Sequence, residues 1–310
     1  MQPSFCRVWK EIGVAKWTWE VRPTLLISTK RPSLVLVRNA TGHALRPGPG
    51  LSYKRIDKKD VAGALDKYLR GFDISSTQLT DLSAALFAAI VRELDSGGLL
   101  LSVESKHAGN TWIKAGKLQQ SISVTTPLVL DLTFKFLHCL DADGKMMPQT
   151  HKDPAFVDGW MNHLNWILGA QTNVWFSVQS ADPIKLDQQL GQPVNDKMFR
   201  DFIMDKKDGF ADITVFLVGK WSGRGEAGGT FFGDPGDVIA LDDKPAIPVV
   251  EGNDVFIVTL AHELVHFVLH FRGNKLNIHH LPDQHALLNK LIESSVVTPL
   301  LQGALNPGAT

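Results

Sequence analysis

The sequence is poor in cysteine and tyrosine and carries no excess of charge. Its two cysteines, Cys6 and Cys139, allow at most one disulfide and cannot form a cysteine-rich structural metal site. Its two tyrosines, Tyr53 and Tyr68, both lie in the first quarter of the 310 residues. The 32 basic and 32 acidic residues cancel, while a hydrophobic content of 44% is ample for a buried core.

The chain also lacks the apolar segments that direct a protein to or through a membrane. Its first 30 residues have no apolar core of signal-peptide length and include the charged residues Arg7, Lys10, Glu11, Lys16 and Glu20. Residues 255–271 approach the length of a transmembrane helix. No other stretch reaches about 18 uncharged apolar residues, and a single span cannot enclose an intramembrane site. We therefore expect no transmembrane segment and no classical secretion.

The balanced total charge hides an uneven distribution. Residues 1–60 contain 12 Lys or Arg and 4 Asp or Glu, whereas residues 181–310 contain 11 and 17. The basic residues are interspersed with Trp9, Trp17 and Trp19, but they form no known nucleic-acid motif. We expect a solvated surface or contact with the acidic half, and no nucleic-acid partner. A secretion machine or a chaperone is a candidate partner for the basic half.

A motif of five residues, His262-Glu263-Leu264-Val265-His266, points to a chemical function. On an α-helix, positions i and i+4 lie on one face, so both imidazoles can bind one Zn²⁺ ion. The glutamate after the first histidine then addresses a water on the metal. The motif predicts a hydrolase that uses Zn²⁺ as its cofactor.

The residues around this motif predict a buried helix over residues 255–271, because they are apolar on nearly every side. Asn253 or Asp254 can cap its start, and Gly273 offers a left-handed end. Buried histidines and a buried glutamate need partners, which a metal supplies. The alternative is a core helix whose histidines form hydrogen bonds with the backbone.

The motif resembles that of the zincin metallopeptidases, in which this helix carries two zinc ligands and the general base. The resemblance implies that His262 and His266 bind zinc and that Glu263 is catalytic. The metzincin branch extends the motif to HExxHxxGxxH. Here Leu269 takes the glycine position and Arg272 the third-histidine position, so the chain departs from the compact metzincin site.

The third zinc ligand is therefore sought further along the chain. Residues 280–288, HLPDQHALL, resemble the metzincin-like segment H-V-x-D-x-x-N-L-M, with leucine in place of methionine, and nominate His280. Glu293, on a candidate second helix, is the alternative and would make the site resemble that of the gluzincins. His279 and His285 are the remaining candidates.

Three protein ligands and one water make the open site of a catalytic zinc. Such a zinc lowers the pKa of its water, while Glu263 takes the proton of that water and passes it to the leaving amine. The resemblance therefore implies a zinc metalloendopeptidase with a protein or peptide substrate. The alternatives are a zinc amidase acting on a cell-wall peptide or another non-protein amide, and a zinc-binding interaction protein without turnover.

The pattern of apolar residues predicts an α+β protein with two domains. Residues 126–310 are expected to form a zincin-like catalytic domain, a mixed twisted sheet with the long zinc-binding helix. Residues 1–125 are expected to form a smaller α/β domain. Its role is open between a propeptide, a targeting or partner-binding module, and a structural extension of the catalytic core. We predict strands at 33–37, 132–137, 173–179 and 213–218, and helices at 60–69, 76–94, 154–169 and 195–205.

A glycine-rich stretch before the motif is the candidate substrate groove. By resemblance to zincins, Gly228, Gly229, Thr230 and Phe231 are placed on an edge strand that pairs with the substrate backbone. A flexible surface loop is the alternative.

The resemblance and the missing signal peptide together leave two expected locations. The chain is expected to act in the cytoplasm or to be exported by a non-classical route. The unusual amino-terminal half favours the second, a bacterial effector or toxin-like protease.

Overall fold

The computed structural model describes the backbone of residues 4–10, 17–20, 24–70, 76–223, 228–231, 238–243 and 255–271. Helices and strands both contribute, so the prediction of an α+β protein is confirmed. The chain divides into two compact units. The first contains the described residues up to Leu128 and also Leu168–Asn173, whereas the second contains Val129–Ile167 and the described residues from Val174 onward. A single boundary near residue 125 therefore does not account for residues 168–173.

The first unit contains two β-sheets that share a core. Its elements are β1 (Ser4–Lys10), β2 (Trp17–Glu20), β3 (Thr24–Ser28), β4 (Ser33–Arg38), β5 (Leu45–Pro47), β6 (Leu51–Ile56), α1 (Val61–Arg70), α2 (Ser76–Asp95), β7 (Leu99–Ser105), β8 (Gly109–Ala115) and β9 (Leu118–Thr125). The strand orders are β2-β1-β4-β7-β6 and β3-β9-β8-β5. Val35 and Leu101 of the first sheet and Ile122 of the second belong to one buried cluster.

Helices α1 and α2 cover the other face of the five-stranded sheet. Leu34 packs with Leu65 of α1 and Ile90 of α2, whereas the next residue, Val35, belongs to the core between the sheets. Because both faces of β4 are buried, its sequence is a continuous apolar run and does not alternate. The strand predicted at 33–37 and the helices predicted at 60–69 and 76–94 are therefore confirmed.

The second unit is built on a mixed sheet. The elements from Leu128 onward are β10 (Leu128–Leu140), β11 (Met146–Pro148), α3 (Val157–Leu164), α4 (Ala170–Thr172), β12 (Val174–Leu186), α5 (Asp196–Met198), β13 (Ile213–Gly219), β14 (Gly228–Phe231), β15 (Val238–Asp242) and α6 (Val255–Phe271). The sheet order is β11-β10-β13-β15-β14, with β12 also pairing with β10. Strands β10, β13 and β15 are parallel, and β14 is antiparallel to β15.

The predicted helix end at Gly169 is wrong. A π-helical turn, Asn165–Gly169, follows α3, and the helix continues through α4. It ends at Asn173, which has a left-handed φ of 59°. The Asn173 amide donates hydrogen bonds to the carbonyl oxygen of Thr125 at 3.0 Å and to its hydroxyl at 2.8 Å. Asparagine is the residue after glycine that most readily ends a helix in this conformation.

The predicted helix over residues 195–205 is present, but it is irregular. It begins with α5 and continues as a π-helical turn, Phe199–Ile203, and a 3₁₀ turn, Met204–Lys206. The wider π turn changes the angle between successive side chains. Phe199 and Ile203 are consequently buried, whereas Phe202 is 40% exposed.

Trp160 of α3 joins the sheet to helix α6. Its ring centroid lies 6.1 Å from that of Phe134, 6.3 Å from that of Phe136 and 4.7 Å from that of Phe256. The first two rings come from β10 and the third from the first turn of α6. The indole therefore helps to fix the orientation of α6 on the sheet.

We expect Trp160→Ala to lower the free energy of unfolding by about 3–5 kcal/mol, because it leaves a cavity between the sheet and two helices. Phe210→Ala is the matched control, since the Phe210 side chain is 89% exposed. That control should change the free energy by less than about 0.5 kcal/mol. Urea unfolding followed by circular dichroism measures both, and equal effects of the two substitutions would contradict this packing.

Candidate metal centre

Helix α6 carries all three residues of the motif, His262, Glu263 and His266. At 100° per residue, their side chains leave the helix axis within a sector of about 100°. The two histidines, four residues apart, lie closest together in that sector. The helix predicted over the motif is therefore present and presents the three polar groups on one side.

The exposure of α6 side chains marks the place where ligands can reach the helix. His262 and His266 are partly exposed, while every other side chain of α6 that the structure describes is buried. Glu263 is among these, with an exposed fraction of 8%. Among the described side chains of this helix, the exposed groups are thus imidazoles, with a buried carboxylate beside them.

The two imidazoles converge through the same nitrogen atom. The Nε2 atoms of His262 and His266 are 3.1 Å apart, and the ring centroids are 4.8 Å apart with an interplanar angle of 73°. Two ligands at about 2.0–2.1 Å from one tetrahedral zinc have their nitrogens about 3.3 Å apart. The observed distance therefore fits a shared zinc ion. It also fits an N–H···N hydrogen bond between two neutral rings.

Helix α6 packs against β14, β15 and α3. Strand β14 stands last in the order of described strands, and it pairs with β15 from Gly228 opposite Leu241 to Phe231 opposite Val238. The candidate groove residues Gly228, Gly229, Thr230 and Phe231 are therefore a strand next to the motif helix. Their part in substrate binding stays a prediction.

The candidates for the third zinc ligand, His280, Glu293, His279 and His285, lie outside the described residues, as do Asn253, Asp254, Arg272 and Gly273. Leu269, at the metzincin glycine position, is within α6 and is 2% exposed. Over the part of the chain that the structure describes, no three or more His, Cys, Asp or Glu residues form a group that could hold a metal. The described donors are thus two imidazoles, to which a third ligand must be added.

Cys139 takes no part in this site. It lies in β10 as a buried free cysteine, and burial raises the pKa of its thiol to about 11. A thiol in such surroundings stays protonated at neutral pH and is neither a good nucleophile nor a ready metal ligand.

The motif analysis overlooked two buried aspartates at the end of β15. The Asp243 carboxylate accepts hydrogen bonds from the Thr150 hydroxyl and from the backbone N–H of His151. The Asp242 carboxylate accepts one from the backbone N–H of Trp221 at 2.7 Å. The sequence signal that could have identified them is a pair of acidic residues at the end of an apolar strand.

These aspartates tie the loops after β11 and β13 to the end of β15. The first loop also reaches the motif helix, because the Lys152 ammonium lies 4.5 Å from the ring centroid of Phe256. Fixing that loop therefore helps to hold the start of α6.

The sequence matches no protein-family model and no curated protein. The assignment of the centre consequently depends on the residues and geometry described above.

We expect the purified protein to bind about one zinc per chain, and His262→Ala or His266→Ala to lose that zinc, because two ligands do not complete a zinc site. His43→Ala, at an exposed histidine of the first unit, is the control and should keep it. Metal analysis after dialysis measures all four proteins. Full zinc content in both α6 variants would exclude this centre.

Proposed function

We propose that the protein is a zinc-dependent metalloendopeptidase. The observation that carries the proposal is the 3.1 Å separation of the His262 and His266 Nε2 atoms at the partly exposed side of a buried helix. Glu263 on the same helix supplies the third chemical group that hydrolysis requires. The three groups occur together within one and a half turns of helix.

The order of strands supports the resemblance to zincins. That resemblance implies a mixed sheet, a long motif helix and an edge strand before the helix. In the second unit, three parallel strands are followed at one end by the antiparallel strand β14, which contacts α6. An edge strand offers backbone hydrogen bonds to an extended peptide, and such pairing accepts the interior of a chain. This favours an endopeptidase.

In the proposed site, His262 and His266 hold the metal together with His280, for which Glu293, His279 and His285 are the alternatives. When bound there, Zn²⁺ supplies a Lewis acid that activates water and polarises a carbonyl. Glu263 accepts a proton from the attacking water and delivers it to the nitrogen of the leaving amine. Burial of Glu263 restricts its carboxylate to one region of the helix surface and so favours a fixed proton route.

The first unit contributes none of the motif residues, so we assign it a role other than bond cleavage. We propose that the basic residues of the first unit bind a partner such as a secretion machine or a chaperone. The protein would then act in the cytoplasm or, after non-classical export, as an effector. Among the described helices, none is long and apolar enough to cross a membrane.

We expect Glu263→Gln to keep zinc bound but to lower kcat/KM for a denatured protein substrate by about 10²–10⁴-fold, because the amide cannot accept the proton. Glu93→Gln is the matched control. Glu93 lies in the first unit and forms a 3.0 Å ion pair with the exposed Arg38, which contributes about 1 kcal/mol or less to stability. A fluorescent protein-cleavage assay and metal analysis report the two properties separately.

The remaining outcomes of that experiment each point to a different assignment of the protein. Undiminished cleavage by Glu263→Gln would contradict the assignment of the general base. Zinc binding without cleavage of any protein or peptide would favour a non-catalytic zinc protein, and Glu263-dependent cleavage of cell-wall peptides alone would favour an amidase.

We also expect peptides blocked at both ends to be cleaved at the same bonds as their unblocked counterparts, because pairing along an edge strand does not require a chain terminus. Mass spectrometry of the products identifies the cleaved bonds. Release of terminal residues only from unblocked peptides would show an exopeptidase instead.

A further inference from the structure

A cavity of about 500 Å³ opens in the first unit, and none of its lining residues belongs to the proposed hydrolytic site. The cavity is bordered by the loop between β3 and β4, the turn before β6, and the loop between β7 and β8. Sites for small molecules commonly have volumes of about 300–1,000 Å³. The cavity is therefore large enough for an organic ligand and not only for a single ion.

The cavity is lined by more positive than negative charge. Lys30 and Arg31 come from one loop and Lys106 from another, and Glu104 is the acidic residue among the lining side chains. Neither Lys30 nor Lys106 forms an ion pair with a described residue. Like charges gathered around a concave surface raise the local concentration of anions.

Two buried serines hold the loops that carry these charges. Ser28 is 9% exposed, and its hydroxyl accepts a hydrogen bond from the backbone N–H of Lys30 at 3.1 Å. Ser105 is 7% exposed, and its hydroxyl donates to the carbonyl oxygen of His107 at 3.0 Å. Because each serine fixes its own loop, the cationic side chains project from a backbone that is already arranged.

The lining chemistry favours a phosphorylated ligand over a nucleic acid. Lysine and arginine are the side chains that bind phosphate oxygens most strongly, and threonine and serine hydroxyls at the wall add neutral donors. Phe, Tyr and Trp are absent from the lining, all of which is described, so the His107 imidazole is the one lining ring on which a base could stack. The Glu104 carboxylate can accept hydrogen bonds from ligand hydroxyls.

We propose that this cavity binds a phosphorylated polyol, whose phosphate groups contact Lys30, Arg31 and Lys106 and whose hydroxyls contact Glu104. A sugar phosphate, an inositol phosphate and a phosphoinositide headgroup share this chemistry. The site is separate from the proposed peptidase centre and does not depend on zinc.

Two substitutions test the site in opposite directions. We expect the double variant Lys30→Gln/Lys106→Gln to weaken binding of inositol hexakisphosphate by at least about tenfold, because two charge-assisted contacts to phosphate are lost. Glu104→Gln should tighten binding of inorganic pyrophosphate, because it removes a repulsive charge. A gain of affinity cannot result from misfolding.

Isothermal titration calorimetry on the full chain at about 150 mM salt measures these affinities without long-range electrostatic attraction. Lys117→Gln is the matched control, since this exposed lysine of the β8–β9 turn is not part of the lining. Saturable binding that only the lining variants alter supports the site, whereas no saturable binding, or equal weakening by Lys117→Gln, would overturn it.

A second arm identifies the source of the ligand. Vesicles of phosphatidylcholine, with and without phosphatidylinositol bisphosphate, are sedimented with the wild-type protein and the double variant. Cosedimentation that requires the phosphoinositide and the two lysines supports a lipid headgroup. Binding of the soluble inositol phosphate without cosedimentation supports a free metabolite.

Discussion

The constraint on which the second unit depends is the placement of three polar side chains on a buried helix. The sequence of helix α6 is apolar except for Thr259, His262, Glu263, His266 and His270, and among these Thr259 and Glu263 are buried. Removing an imidazole or a carboxylate from water costs several kcal/mol unless a partner replaces the lost hydrogen bonds. The 3.1 Å approach of the two Nε2 atoms meets that requirement for one nitrogen of each histidine, through a shared metal or a shared proton.

The rest of the unit holds this helix in place. Strand β13 is buried at every residue and pairs with β15, one of the strands on which α6 packs. Trp160 of α3 contacts the first turn of α6, and Lys152 contacts the same turn from a loop that Asp243 fixes. Strand β14 then contacts the helix at the end of the sheet. A site with two ligands on one helix needs such support, because small rotations of that helix move both ligands together.

The sequence predicted those elements whose signal is local. Residues that are apolar on nearly every side predicted α6, and local patterns predicted β13 and α2 to within one residue of their observed bounds. Most strands of the first unit were not predicted, because polar residues interrupt the apolar pattern of strands such as β8 and β9, and because partners such as Tyr53 and Val103 are far apart in the chain. The helix after α3 ended at Asn173 and not at Gly169, since a tertiary contact of the asparagine decided the position. Of the site, the motif residues follow from helix geometry, whereas the third ligand does not, because no helical spacing links it to them.

The most direct test of the central claim is a crystal structure of the zinc-loaded protein with anomalous scattering data collected at the zinc edge. The account predicts one zinc ion about 2.0–2.1 Å from the Nε2 atoms of both His262 and His266, with one further protein ligand and an open fourth position beside Glu263. A structure in which the two imidazoles share a hydrogen bond and zinc is absent from them, or in which a fourth protein ligand closes the site, would contradict it.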